Sequence, residues 1–321
     1  MGRLKILLFF FCTICIQCST DAQPDYKTSY TVSQDGKGDF KTLQETLNAC
    51  KAFPDVRITI RIRPGTYIEK IEVHSWNTRI ELIGEDPTNT IIKFDDYSGK
   101  GDINTFTSYT VKVLGNDFYA ENITFENAAG PVGQAVALHV EADRCVFKNC
   151  RFLGNQDTIY TGGETSRQYF SNCYIEGTTD FIFGAATAVF ENCTILSKKN
   201  SYVTAASTTQ GKLFGYVFLN CTLKATSEAT KVYLGRPWRI YAKTVFVNCN
   251  LGSHILPEGW HNWSKPEAEK TVYYGEYNSK GTGANPSARV SWSHQLNSEE
   301  SLAYTVDKIL QGNDQWKPNG K

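Results

Sequence analysis

Five segments of the chain repeat one short pattern: FKNCRF from Phe147, FSNCYI from Phe170, FENCTI from Phe190, FLNCTL from Phe218 and FVNCNL from Phe246. A sixth, AENITF from Ala120, has Ile in place of the Cys. The five follow one another at steps of 23, 20, 28 and 28 residues. Repeats of this length, built of alternating apolar residues with no helical stretch between, predict a solenoid of stacked parallel strands. Each winding then buries the same position against the next. The Cys of each Asn-Cys reads as a small apolar residue in an interior stack. The Asn before it reads as a turn residue, because Asn tolerates unusual dihedral angles and stacks well on itself. Asn122, Asn192, Asn220 and Asn262 head Asn-x-Ser/Thr sequons, but the first three belong to the repeat, whose structural role outweighs glycosylation.

A stack of strands needs covered ends to stay soluble. Asp39 is placed to cap a short helix whose apolar face is Phe40, Leu43, Leu47 and Cys50. Ser298 similarly opens SEESLAYTVDKIL, with Leu302, Val306, Ile309 and Leu310 facing inward. No linker or break in composition divides the rest, so residues 23–321 are expected to form one domain. Residues 1–22 read differently. Arg3 and Lys5 precede an eleven-residue apolar run, Ile6 to Ile16, with small residues at Thr20 and Ala22 before Gln23. That run is too short to span a bilayer and suits a secretory signal, so the protein is expected to be exported. A lipid anchor at Cys18 is the weaker alternative, because Gln17 fits such a site poorly. No inhibitory pro-region is expected between this leader and the domain.

Export bears on charge and on cysteine. With the leader gone the net charge is about −1, which excludes binding to nucleic acid or a membrane surface by bulk charge. Seven cysteines remain: Cys50, Cys145, Cys150, Cys173, Cys193, Cys221 and Cys249. Oxidising compartments favour disulfides, yet cysteines stacked on successive windings could crosslink only with distortion, so free thiols are expected. No CxxC or paired Cys/His spacing suggests a zinc site.

Two aspartates stand out against this frame. Asp157 lies eight residues after Asn149, and Asp180 eight after Asn172. Their flanks agree: QDTIY and TDFIF both read x-Asp-x-Ile-aromatic. They should therefore occupy equivalent places on adjacent windings, about 4.8 Å apart. An isolated Asp at a strand edge is ordinarily a turn residue, but two in register, each heading a buried strand, form a pair. Like charges at that range push one pKa up, which splits the pair into an acid and a base or nucleophile. Asn200 falls at the same offset on the next winding, which would confine the carboxylates to two rungs. Arg236 and Trp238 in LGRPW offer a planar fork for a carboxylate and a ring to stack on sugar. Gln134 in GQAVAL and Gln156 beside Asp157 offer neutral donors for an oxyanion. No G-x-S-x-G elbow occurs, and the five His make no triad or metal spacing. His139 reads as a strand residue beside the groove.

These residues resemble a known family. GTYIE (65–69), GQAVAL (133–138), GNQDTIY (154–160), DFIFG (180–184) and LGRPW (234–238) stand in the order found in pectin methylesterases. VSQDGKGDFKTLQ near the start, and LPEGWHNW and YYGEYNSKGTGA near the end, are similar to that family too. The resemblance implies an all-β fold, a single right-handed parallel β-helix of the pectin lyase-like kind with short capping helices. It implies hydrolysis of the methyl esters of polygalacturonate, with methyl-esterified homogalacturonan as partner, a monomeric state and no metal or organic cofactor. Carried over by motif, Asp180 would be the nucleophile and Asp157 the general acid and base. Gln134 and Gln156 would hold the oxyanion, Arg236 would orient Asp180, Trp238 would line the groove, and Thr110 in TSYTVKV would touch substrate.

The chain departs from the family pattern at Asn155, where an aromatic is usual, at His139, where many relatives carry Arg, and at Tyr109, where a small residue is common. These positions bear on subsite preference. Two other readings compete. A β-helix polygalacturonase or pectate lyase would act on the same polymer, but an inverting glycosidase needs its carboxyls about 6.5–9.5 Å apart, and adjacent windings set them closer. A solenoid that merely binds polysaccharide would have no use for two Asp, two Gln and an Arg together.

Overall fold

The computed structural model describes residues 1–2 and 24–318. The charged and apolar parts of the leader, with Cys18, lie outside the described residues. The chain winds as a right-handed parallel β-helix of three sheets, with eleven, eight and seven strands. Each strand pairs with its counterparts in the windings before and after it, always in parallel. The seven-stranded sheet carries the groove. Its strands are β1 (Ile71–Val73), β2 (Val111–Val113), β3 (Leu138–Val140), β4 (Ile159–Thr161), β5 (Ile182–Gly184), β6 (Tyr202–Ala206) and β7 (Tyr233–Pro237).

The repeat builds the core as its spacing predicts. Phe147, Phe170, Phe190, Phe218 and Phe246 pair in register and stack face to face, with ring centroids 4.4–4.8 Å apart. This is the strand spacing itself, so each ring lies flat on the one before it. The Asn of every repeat sits in the left-handed region, with φ between 49° and 60°, and Asn278 adds a further rung at 49°. Asn holds that conformation at lower cost than most residues, which is why the corner selects it. The seven cysteines are free and buried. Four of the five motif thiols donate to the carbonyl of the Phe one winding earlier, Cys173 to Phe147, Cys193 to Phe170, Cys221 to Phe190 and Cys249 to Phe218, at 3.2–3.5 Å, and Cys150 donates to the equivalent Ala120 O at 3.6 Å. Burial pushes the Cys193, Cys221 and Cys249 thiols well up, so they stay protonated and inert.

The ends are capped, though not by the residues first expected. The first helix, α1 (Leu43–Ala49), is capped by Thr42, whose hydroxyl accepts from the Glu45 N–H. Asp39 instead pairs with Lys27 and accepts from the Thr31 N–H. At the far end Asn297 caps α2 (Ser298–Ser301) in a reciprocal box with Glu300. Thr305 then opens α3 (Val306–Leu310). The chain breaks between these two helices, so Leu302 is exposed while Val306, Ile309 and Leu310 are buried.

Candidate active site

Residues of the seven-stranded sheet that face outward line up across the windings. Lys112, His139, Tyr160, Phe183, Ala205 and Arg236 are mutual partners on β2 to β7. Ile159 of β4 pairs with Ile182 of β5, and two residues before each lie Asp157 and Asp180. The two carboxylates are therefore one rung apart, about 4.8 Å along the stack. Both are left-handed, with φ of 65° and 49°. They occupy the corner at which the chain enters the strand, and Asp, like Asn, adopts that geometry at little cost. Backbone bonds fix each corner to the next winding: Asp157 N–H donates to Thr179 O at 3.1 Å and Asp180 N–H to Tyr202 O at 2.9 Å.

The same register corrects one expectation. The residue equivalent to Asp180 on the following winding is Tyr202, since Ile182 pairs with Thr204. Asn200 lies two residues earlier and uses its side chain to accept from the Thr230 and Lys231 N–H groups. The carboxylates still occupy only two rungs, because Tyr202 and then Tyr233 continue the row.

Arg236 meets Asp180 as a fork. Its Nε donates to Oδ1 at 3.0 Å and its Nη2 to Oδ2 at 2.6 Å. The guanidinium lies between two rings, 3.9 Å from the Tyr202 centroid and 3.6 Å from that of Trp263. Asp157 is 7% exposed and Asp180 5%. Burial pushes both carboxyls up from 3.8, but not equally. The charge of Asp180 adds to burial at Asp157, which is driven well above the ordinary value. At Asp180 the Arg236 fork opposes the rise. Asp180 is thus the member that loses its proton first, and Asp157 the member that keeps it.

A cleft of about 290 Å³ opens over the pair. Gln134 and Gln156, bridged to each other across adjacent windings, line it with Phe106, Phe183, Trp238 and Trp263. Neither Gln side chain has a protein partner among the described residues, so both amides are available to a ligand. Trp238 faces Phe106 with rings 6.4 Å apart and 18° from parallel. Thr110 is not brought to this cleft. It is fully buried, and its hydroxyl donates to Glu126 O at 2.9 Å. It precedes β2 and does not follow that strand's alternation, since Lys112, two residues on, faces outward while Thr110 is buried; Tyr109 is half-buried beside the groove. His139 packs its ring against Tyr160, 4.6 Å away, and bonds Glu141 at 2.7 Å, a strand residue beside the groove as expected. Phe106 and Trp263 were not among the site residues foreseen. Trp263 falls inside LPEGWHNW, but nothing in that stretch reveals that its ring will reach back over Arg236.

Two buried carboxyls of unequal proton affinity one rung apart, with two unengaged amide donors, can together attack an ester and protonate its leaving group. Winding and acidic groove place the chain among the pectin lyase-like parallel β-helix proteins. Within that class it belongs to the pectinesterase family, whose model matches residues 29–313. The chain is 38% identical over 312 residues to a probable pectinesterase/pectinesterase inhibitor of Arabidopsis thaliana, covering 92% of this chain and 46% of that protein. It spans about half the length of that relative. The carrot pectin methylesterase structure superposes with a TM-score of 0.84 at 34% identity, covering 92% of this chain and 96% of that one. A pectin methylesterase mutant in complex with a hexasaccharide gives 0.80 at 29% identity, covering 93% and 100%.

Proposed function

We propose that the chain, after loss of residues 1–22, is an exported pectin methylesterase of residues 23–321 acting on methyl-esterified homogalacturonan as a monomer. The observation that carries this reading is the unequal pair of carboxyls, with Asp180 held in the Arg236 fork while burial and the charge of Asp180 together drive Asp157 well up. An Asp180 oxygen attacks the ester carbonyl carbon, and the amides of Gln134 and Gln156 stabilise the oxyanion that forms. As the intermediate collapses, Asp157 gives its proton to the departing methoxide, releasing methanol and leaving an anhydride between substrate and Asp180. Asp157, now ionised, takes a proton from water as the oxygen attacks the anhydride. The polymer leaves as a carboxylic acid, which loses its proton to solvent, and Asp180 is regenerated. Trp238 supplies an apolar face for a sugar ring.

The test compares methanol release with viscosity loss on highly methylated pectin. Methanol appears early and viscosity holds if ester hydrolysis is the reaction. Rapid loss of viscosity with no methanol would favour a depolymerase instead, and binding without either product would leave only a polysaccharide-binding solenoid.

A further inference from the structure

The Arg236 fork is held by more than its carboxylate. Tyr233, Tyr202, the guanidinium and Trp263 form a continuous stack: the two Tyr rings lie 5.4 Å apart and 14° from parallel, and Trp263 closes the far face of the guanidinium. Trp263 comes from a loop with left-handed backbone at both Trp263 and Ser264, φ 57° and 55°. His261 ties that loop to the stack. Its Nδ1 accepts from the Trp263 N–H at 2.9 Å, and its ring stands edge-on to Tyr202 and Tyr233, 5.4 and 5.3 Å away. An imidazole that accepts at Nδ1 is neutral, with its proton on Nε2.

We infer that His261 is a positioning residue for the Asp180–Arg236 pair: by accepting from the Trp263 N–H it seats the indole on the guanidinium and so keeps the fork turned toward Asp180. This rests on the proposed esterase reading for its consequence in turnover, but not for its structural content. Protonation of His261 removes the acceptor and sets a second cation beside Arg236. Burial, reinforced by Arg236, lowers the His261 pKa from 6.5, so the bond survives at neutral pH and is lost on the acid side. The other polar and charged groups around it do not reverse this. Tyr202 and Tyr233 present rings, Glu258 acts on Tyr233, and Glu269 is engaged by the Asn262 amide at 2.7 Å.

Two variants separate this role from simple packing. His261→Phe keeps a ring but no acceptor; His261→Asn keeps an acceptor at the same distance from the backbone but cannot titrate. Losing one such bond lowers kcat by roughly fivefold to tenfold in the Phe variant, with KM changed less than about twofold. The Asn variant recovers kcat at neutral pH and extends activity to lower pH than the wild type. Independently of turnover, the Trp263 backbone amide resonance follows the His261 titration in the wild-type protein and loses that step in the Asn variant. A Trp263 amide that ignores His261, or an Asn variant whose acid limb matches the wild type, overturns the inference. Absence of methanol from the wild-type protein would overturn the esterase reading alone, because the resonance test stands without it.

Discussion

Asp180→Asn is expected to abolish methanol release, with kcat falling roughly 10⁴-fold or more, because in the proposed mechanism the attacking oxygen is replaced by an amide that cannot form the anhydride. The substitution suits the backbone. Position 180 has φ 49°, and Asn is among the few residues at ease there, as the repeat's own corners demonstrate. The amide oxygen can still accept from Arg236, whose charge is shared with the rings of Tyr202 and Trp263. Folding and pectin binding should therefore change little. Initial rates on methylated pectin, alongside thermal unfolding and binding of the polymer, check this. A variant within tenfold of wild-type turnover would remove Asp180 from the nucleophile's role.

The largest stability effect is expected away from the groove, at Arg289. Its side chain is 2% exposed and pairs with that of Glu276, 5% exposed. Nε donates to Oε1 at 2.6 Å and Nη2 to Oε2 at 3.1 Å, while the remaining donors reach the carbonyls of Pro257 and Gly283 at 3.0 and 2.7 Å. The guanidinium so joins the strand of Glu276 to the loop that continues into Trp260 and Trp263. Gly259 passes over it with φ 69°, and a Cβ there would lie 2.5 Å from Arg289 Cδ. Arg289→Leu leaves Glu276 as an uncompensated buried carboxylate, a loss of about 3–5 kcal/mol. Replacing Glu276 by Leu as well should recover much of that, since the stranded charge is the main cost. Urea unfolding of the two variants measures both effects. A single variant that loses less than about 1 kcal/mol would show that water or a rearranged loop satisfies Glu276.

What the sequence revealed follows from what repeats. The Phe stack, the left-handed Asn corners and the shared offset of Asp157 and Asp180 are properties of neighbouring windings of similar length, so counting from Asn149 and Asn172 found the pair. The same count failed one winding later, at Asn200. There the loop between the marker and the strand is two residues longer, and only the pairing of Ile182 with Thr204 reveals that Tyr202 holds the place. Thr110 failed because it precedes β2: alternation counted back from the outward-facing Lys112 would point it into the groove, but the residues entering the strand do not keep that period. Phe106 and Trp263 come from irregular segments, where no period exists to count. The helix caps were misjudged by one to three residues, since Asp39, Thr42, Asn297 and Ser298 are all competent cap residues and tertiary contacts chose among them.

The proposed chemistry depends on two neighbouring carboxyls holding their protons with unequal strength. A group whose folded-state pKa is raised binds its proton more tightly when folded. Its favourable contribution is complete below the ordinary value of 3.8 and is lost as pH rises through the raised one, so the buried pair costs stability near neutrality. Carbon-13 resonances of the Asp side chains, assigned with Asp157→Asn and Asp180→Asn, measure the two protons directly. As pH rises Asp180 should ionise first and Asp157 only well above the ordinary Asp value, with the Asp157 titration moving down once Asp180 is replaced. Two carboxyls that both titrate near 4 in the wild-type protein would contradict it.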